Sequence, residues 1–319
     1  MRRDRGMTKV LIIDIHAEMY RDPLQAEFPE LQFAVFHGAA ELTGDLDEIE
    51  VMMMFGLEVR DEMLKSAPRL KWIQSLATGI DHFLRCPSLR PDVLITSGRG
   101  IHGPPMREQV VHMMMAISRD VTRQVEDYQH RIWQRRLWST LHGKTAVVVG
   151  TGVVGTAIGE LLKAFGMHVV GVTRTPRQTA GFDAMMPADR LAETAAKADY
   201  LINILPASTG NIALFDVKVF AAMKPSAYYI SAGRGQTVDE AALAAALRER
   251  RIAGAAFDVF QTEPLPPDSP FWSLPNVFIT PHLGGYIVEY EEFIMPLIVE
   301  NMRLFLAGRP GEMRNIVAR

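Results

Sequence analysis

Three polar residues in the second half of the chain are of the types that together could reduce a ketone or oxidise the matching alcohol: Arg234, Glu263 and His282. A histidine gives or takes a proton near neutral pH, and a carboxylate beside it orients the ring and favours its charged form. An arginine can clamp a carboxylate through its forked donors or polarise a carbonyl oxygen. Taken singly, each is more often a surface or loop side chain. Their placement gives them weight, because each follows a short apolar run that reads as a strand. Arg234 lies in Ser231-Ala232-Gly233-Arg234-Gly235 after Tyr228–Ser231, Glu263 in Gln261-Thr262-Glu263-Pro264-Leu265 after Gly254–Val259, and His282 in Pro281-His282-Leu283-Gly284-Gly285 after Val277–Thr280. In open α/β sheets, ligands collect beyond the carboxyl ends of the strands.

The part still missing from such a set is a hydride donor, and a further motif suggests where one would bind. Gly150-Thr151-Gly152-Val153-Val154-Gly155 follows the strand Thr145–Val149 and opens a helical pattern. The first glycine permits a tight turn, the second a close approach of backbone to a pyrophosphate, and the third the packing of helix on strand. Amides at the helix start, Val153 and Val154 among them, then face the phosphates. A glycine pattern alone is a weak signal. Here the strand before it and the helix and strand after it complete a dinucleotide-binding unit. The next strand, His168–Val172, runs into Thr173-Arg174-Thr175-Pro176-Arg177, with no acid before Asp183. A carboxylate there would bind the ribose hydroxyls of NAD. Arg174 and Arg177 around Thr175 suit a 2′-phosphate instead. NADP(H) is therefore expected in preference to NAD(H).

These motifs need sheets to hold them, and the chain offers two series of candidate strands. The first comprises Val10–Ile15, Gln32–Phe36, Val51–Phe55, Lys71–Ser75 and Val93–Thr96. The second comprises Thr145–Val149, His168–Val172, Tyr200–Leu205, Tyr228–Ser231, Gly254–Val259 and Val277–Thr280. Strands alternating with helical patterns imply parallel sheets covered on both faces. The expected fold class is α/β: two doubly wound, Rossmann-like domains with an active site in the cleft between them. Residues 7–104 with 291–319 are expected to form a discontinuous substrate-binding domain, and residues 105–290 the dinucleotide-binding domain. Between the two series, Pro104 to about Gln134 carries Val110, Met114, Ile117, Val121, Val125, Tyr128 and Ile132 at helical spacing, predicting one long amphipathic hinge helix. A last helix is expected near Tyr290–Leu306, returning to the first domain. Met52–Met54 and Met113–Met115 read as core.

Bulk composition narrows the partners. At 319 residues the chain exceeds what one core of ~250–300 residues comfortably holds. A net charge of −3 with scattered basic residues argues against a nucleic-acid or anionic-membrane partner. The single cysteine, Cys86, excludes an intrachain disulfide or a cysteine metal cluster and suits a cytoplasmic location. No metal site is expected. The apolar stretch 146–172 is broken by Gly150, Gly152, Gly155, Glu160, Lys163 and Gly166 into strand, turn, helix and strand, so no membrane span is expected. The start Met1–Met7 is basic without a long apolar run behind it, which argues against a secretory signal and leaves Met1 and Met7 as alternative starts.

Taken together, these motifs resemble the D-isomer-specific 2-hydroxyacid dehydrogenase family over essentially the whole chain. The match rests on Gly150–Gly155, Asn203-Ile204-Leu205-Pro206 with Thr209, Ser231–Gly235, Ala256-Phe257-Asp258-Val259-Phe260, Thr262-Glu263-Pro264 and Pro281–Gly285, in that order and spacing. The resemblance implies that Arg234 binds substrate carboxylate and carbonyl, that His282 is the acid/base and that Glu263 pairs with it. It also implies that Asp258 holds the nicotinamide carboxamide, and that Leu205, Pro206, Thr209, Ala232 and Gly284 line the cofactor. Leu76-Ala77-Thr78-Gly79-Ile80-Asp81 resembles the family's substrate loop, whose amides receive a carboxylate, although Ala77 stands where many members carry glycine. The Arg107-Glu108-Gln109 helix resembles the interdomain helix. The Arg174/Arg177 pair is similar to the NADPH-dependent glyoxylate/hydroxypyruvate reductase branch. No C-terminal regulatory extension follows, which argues against an allosteric phosphoglycerate dehydrogenase. The implied partners are a small 2-keto or 2-hydroxy acid and a second copy of the chain in a homodimer. The alternatives are an NAD(P)(H)-sensing binding protein of the same fold and a reductase of bulkier 2-keto acids.

Overall fold

A computed structural model describes residues 7–317. Residues 1–6, on which the reading of the basic start depends, lie outside them. The chain divides into two units, one ending at Ile101 and resuming at Val288, the other running His102–Ile287.

In the first unit, β1 (Lys9–Ile13), β2 (Gln32–Phe36), β3 (Ile49–Met54), β4 (Trp72–Ser75) and β5 (Leu94–Thr96) form one sheet in the order β2-β1-β3-β4-β5. Every pairing is parallel. The strands are almost uninterruptedly apolar because helices cover both faces. Met52, Met53 and Met54 are fully buried, as a core reading of that run requires. β1 stops at Ile13, two residues before the predicted end, because the Asp14 side chain accepts the His16 amide at 2.8 Å and turns the chain out of the sheet. The helix Tyr290–Leu306 belongs to this unit. Its Tyr290 ring lies 5.5 Å from Phe55 and its Phe305 ring 5.4 Å from Trp72.

The second unit carries β6 (Thr145–Val149), β7 (His168–Thr173), β8 (Ala184–Pro187), β9 (Tyr200–Asn203), β10 (Tyr228–Ser231), β11 (Gly254–Phe257) and β12 (Val277–Ile279). Their order is β12-β11-β10-β9-β6-β7-β8, again all parallel. Alternate residues of β6 serve two cores: Val147 and Val149 join one cluster, Ala146 and Val148 the other. This is the doubly wound dinucleotide-binding order, and the strand order reverses between β6 and β9. A ligand crevice belongs at that switch point, where the glycine turn after β6 lies.

Two expectations need correction. The single helix over Pro104–Gln134 is two helices, Gly103–Ser118 and Val121–Gln129. Asp120 separates them at φ 51°, a left-handed conformation that aspartate tolerates better than most residues, and its side chain caps the second helix through the Arg123 amide at 3.4 Å. Val125, Tyr128 and Ile132, read as part of that helix's apolar spacing, are exposed. The strand β8 was not anticipated, since Ala-Met-Met-Pro has weak strand propensity. It survives at the sheet edge, where proline is tolerated. Among the described residues no helix is long and apolar enough to cross a membrane, and no cluster of three metal-ligating side chains occurs.

Candidate active site

The glycine turn leaves β6 and enters the helix Val153–Ala164. Gly150 has φ +106°, where a side chain would be strained, and a Cβ on Gly155 would sit 1.9 Å from the Gly150 carbonyl oxygen. Helix and turn therefore pack backbone to backbone. Gly152 is the helix N-cap, has no capping side chain and opens onto free space. The first amides of the helix, at Val153 and Val154, are thus left for an anionic ligand. These observations fit a bound pyrophosphate.

At the end of β7, Arg174, Thr175 and Arg177 are all exposed. Neither guanidinium has an ion-pair partner among the described residues. Asp183, the nearest acid downstream, is occupied: it accepts the Val169 amide at 2.8 Å and Lys163 Nζ at 2.6 Å, and lies 3.2 Å from His168. Those bonds hold its carboxyl below the usual range. In the segment 174–183 the one acid is therefore engaged, and the two arginines have no ion-pair partner among the described residues.

β9 ends at Asn203, whose buried side chain ties three segments together. Its Nδ2 donates to the Tyr229 hydroxyl at 3.0 Å and to Thr237 Oγ1 at 2.7 Å, and its Oδ1 accepts the Leu205 amide at 3.1 Å. The last bond explains why the strand stops two residues before the predicted end and why Leu205 and Pro206 leave the sheet. Thr237 Oγ1 in turn donates to the Arg234 carbonyl at 2.6 Å. The Arg234 backbone is fixed from the core side, while its half-buried guanidinium donates to the neighbouring Gly233 carbonyl at 2.9 Å and forms no ion pair among the described residues. Ala232 is buried beneath this loop, and Pro206 and Thr209 are exposed.

His282 and Glu263 come together as their spacing could not show. Nδ1 of His282 lies 2.7 Å from Glu263 Oε2, and the other carboxylate oxygen accepts the Phe260 amide at 2.9 Å. Partial burial works against charge on Glu263, but the His282 bond, the Phe260 amide and nearby Arg234 outweigh it and hold the carboxyl below its ordinary range. His282 itself sits at φ +57°, a conformation unfavourable for a residue bearing a Cβ. The next two amides explain why it persists. Leu283 and Gly284 donate to the two oxygens of Asp258 at 2.8 and 2.9 Å. Asp258 is 2% exposed and also accepts Thr280 Oγ1 at 2.6 Å and Gln109 Nε2 at 3.0 Å.

In the other unit, the Leu76–Gly79 turn follows β4. The Leu76 amide donates to the Met54 carbonyl at 3.0 Å and the Ala77 amide to Ser75 Oγ at 3.2 Å, while the Gly79 amide donates to no described residue. Tyr290 donates its hydroxyl to the Leu76 carbonyl, fixing the turn from the C-terminal helix. Ala77 is not among the residues of positive φ, so its Cβ carries no backbone penalty there.

A family model for the NAD binding domain of D-isomer specific 2-hydroxyacid dehydrogenases matches residues 111–284, more than half of the chain. The chain belongs to the D-isomer specific 2-hydroxyacid dehydrogenase family. It is 32% identical over 286 residues to glyoxylate/hydroxypyruvate reductase B of Yersinia pestis, covering 85% of each chain. A D-isomer specific 2-hydroxyacid dehydrogenase family protein from Aeromonas salmonicida superposes with a TM-score of 0.91 at 32% identity, over 98% of this chain and 99% of that one. An NADPH-dependent glyoxylate/hydroxypyruvate reductase from Sinorhizobium meliloti, solved with NADP and sulfate, superposes with a TM-score of 0.82 at 25% identity, over 97% and 98%. The chain spans 59% and 47% of the D-3-phosphoglycerate dehydrogenases of Methanocaldococcus jannaschii and Mycobacterium leprae that it also matches.

Within this site, Asn203 and Asp258 stood in motifs already recognised, but nothing in the sequence showed their anchoring roles. Gln109, Thr280, Tyr229 and Thr237 carried no signal as site residues, because their partners are distant in sequence. His102 was missed as well. Half-buried at the start of the helix Gly103–Ser118, it packs against Gly285, and burial together with nearby Arg234 pushes its pKa down to about 4. Only its position before a proline-led helix could have drawn attention to it.

Proposed function

We propose that the protein is an NADP(H)-dependent D-2-hydroxyacid dehydrogenase, acting as a reductase of small 2-keto acids of the glyoxylate or hydroxypyruvate kind. The observation that carries this reading is the His282–Glu263 bond at 2.7 Å on the same sheet edge as Arg234 and the glycine turn. The glycine turn would hold the pyrophosphate of the dinucleotide, whose reduced nicotinamide would supply the hydride for the carbonyl carbon. His282 gives a proton to the carbonyl oxygen: Glu263 holds Nδ1, which leaves Nε2 as the donor, and the carboxylate stabilises the ring's charge before transfer. Arg234 binds the substrate carboxylate and draws electron density from the carbonyl. The turn Leu76, Ala77, Thr78 and Gly79 receives the carboxylate, chiefly at the Gly79 amide, because the Leu76 and Ala77 amides are already bonded to Met54 and Ser75. Asp258 and Gly284 with Leu205, Pro206, Thr209 and Ala232 border the nicotinamide side, and Arg174, Thr175 and Arg177 take the 2′-phosphate.

Initial rates of NADPH and NADH oxidation with glyoxylate, hydroxypyruvate, pyruvate and a bulky 2-keto acid test this reading. NADPH-preferring turnover of the small acids is expected. No turnover in protein shown to bind NADPH would favour a nucleotide-sensing protein instead. Arg234→Ala should lower kcat/KM by about a hundredfold or more, the order of loss for one key electrostatic contact. Unchanged kinetics in that variant would remove Arg234 from the mechanism.

The reading includes a homodimer. It is supported by Tyr128, Trp133 and Leu137, which are 83%, 94% and 104% exposed. They lie on a segment that is nonetheless held in place, by the Arg136–Asp127 ion pair and by Arg119 stacked 4.0 Å from the Trp138 ring centre. Ordered apolar surface of this kind marks an interaction site. Light scattering on the eluting protein would give twice the chain mass.

A further inference from the structure

We infer that Gln109 is a positioning residue for His282, acting through Asp258 and Thr280. The inference deepens the reading above and rests on His282 being its proton donor. His282 occupies a left-handed conformation, and what compels it is the capture of the following two amides by one carboxylate. That carboxyl group is buried and forms no ion pair among the described residues, so its oxygens are satisfied by neutral donors. Two are the Leu283 and Gly284 amides, and the other two are Thr280 Oγ1 and Gln109 Nε2.

Gln109 does more than add one bond. Its Nε2 also donates to Thr280 Oγ1 at 2.7 Å, so one amide nitrogen spends both hydrogens within the cluster. Its donation to Thr280 leaves that hydroxyl's own hydrogen for Asp258. The carboxamide orientation is fixed, because a carboxylate can only accept. Gln109 sits inside the helix Gly103–Ser118, so the cluster is referenced to a rigid element packed on the sheet. The chain of contacts is helix, Gln109, Asp258, the Leu283–Gly284 amides, and then the imidazole that Glu263 receives.

Gln109→Met keeps length and volume but removes both donors. Asp258 and Thr280 each lose a partner, and the turn at His282 is free to leave its left-handed conformation. In wild type and variant, the imidazole proton resonances of His282, identified by their loss in His282→Gln, would be followed by NMR. Alongside, kcat would be measured with the best 2-keto acid, and NADPH affinity by fluorescence titration. The expected result is a displaced His282 resonance and a kcat lower by about ten- to a hundredfold, as misplacement of a reacting group gives. NADPH affinity should stay within about twofold, and Gln109→His, which keeps an N–H donor, should recover part of the rate.

An unmoved His282 resonance would overturn the inference. So would weaker NADPH binding with kcat intact, which would assign the cluster to the cofactor, or a lower Tm with kinetics unchanged, which would make Gln109 a packing residue. Absence of turnover in the wild type would defeat the proposed reaction, while the resonance would still decide whether Gln109 places His282.

Discussion

Replacing Arg174 and Arg177 together by alanine is the perturbation that most directly tests the choice of cofactor. Both side chains are exposed at the end of β7 and neither is engaged in an ion pair among the described residues, so their loss should disturb little else. A 2′-phosphate carries close to two negative charges and pairs with guanidinium through charge-assisted bonds. Such bonds contribute about 1.5–3 kcal/mol, and exposed pairs lie at or below the lower figure. Taking ~1–1.5 kcal/mol for each arginine gives ~2–3 kcal/mol, which is about thirty- to a hundred-and-fifty-fold in Kd. NADH lacks the phosphate and should bind the variant within about twofold of wild type. The assay is titration of protein fluorescence with each cofactor at two salt concentrations. Wild-type NADPH affinity should weaken with added salt, and the double variant should lose most of that dependence. Equal weakening toward both cofactors would refute the reasoning, because it would mean that the arginines shape the loop rather than read the phosphate.

Three further outcomes follow from the same geometry. Gly155→Ala places a Cβ 1.9 Å from the Gly150 carbonyl oxygen, so turn and helix must separate, and titration should show NADPH and NADH both bound at least about tenfold more weakly. Glu263→Gln removes the charge beside His282 and should lower kcat/KM by about ten- to a hundredfold, within the range for general acid catalysis. Because the folded protein holds the Glu263 carboxyl below its ordinary range, the pair stabilises the fold above that range and ceases to do so as pH falls through the depressed value. Urea melts of wild type and Glu263→Gln should therefore differ at pH 7 and converge in acid. His102 behaves oppositely. With its pKa pushed down to about 4, the unfolded chain takes up a proton from about pH 6.5 that the folded chain refuses. Stability should fall between those two values, by no more than about 3 kcal/mol. His102→Gln should flatten that part of the pH profile measured by urea unfolding, and an equally steep fall in the variant would contradict the assignment.

The parts of the fold legible in the sequence are those dictated by short-range patterning. β6 could be read because Thr145–Val149 is a continuous apolar run buried on both faces and bounded by a turn that only glycine satisfies. Gln32–Phe36 and Tyr228–Ser231 were bounded correctly as well, each being a short run rich in aromatic and β-branched residues. The helix break at Asp120 was not legible, since Val121, Val125, Tyr128 and Ile132 continue the helical spacing past it. Periodicity reports which face is apolar and cannot report that the face is uncovered. The same limit applies to the site. Motif order brought Arg234, Glu263 and His282 to strand ends. It could not show that Asn203 holds the Arg234 loop through Thr237, because Asn203 lies 34 residues before Thr237 and only the folded sheet makes them adjacent.

The two carboxylates next to the His282 turn show how environment assigns different work to identical groups. Asp258 lies 2% exposed and receives four donors, none of them charged. Its bonds go to backbone and to neutral side chains, so it fixes geometry. Glu263 receives one backbone amide, and its other oxygen faces an imidazole that is about half exposed. Its interaction strengthens when that ring gains a proton and weakens when the ring gives it up. Of the pair, only Glu263 is arranged to follow the charge that a proton transfer creates, and only Asp258 to stay unchanged while it happens. Exchanging the chemistry of one for the other would therefore fail in opposite ways: Glu263→Gln leaves a placed ring without its carboxylate partner, whereas loss of the Asp258 grip leaves the ring out of place.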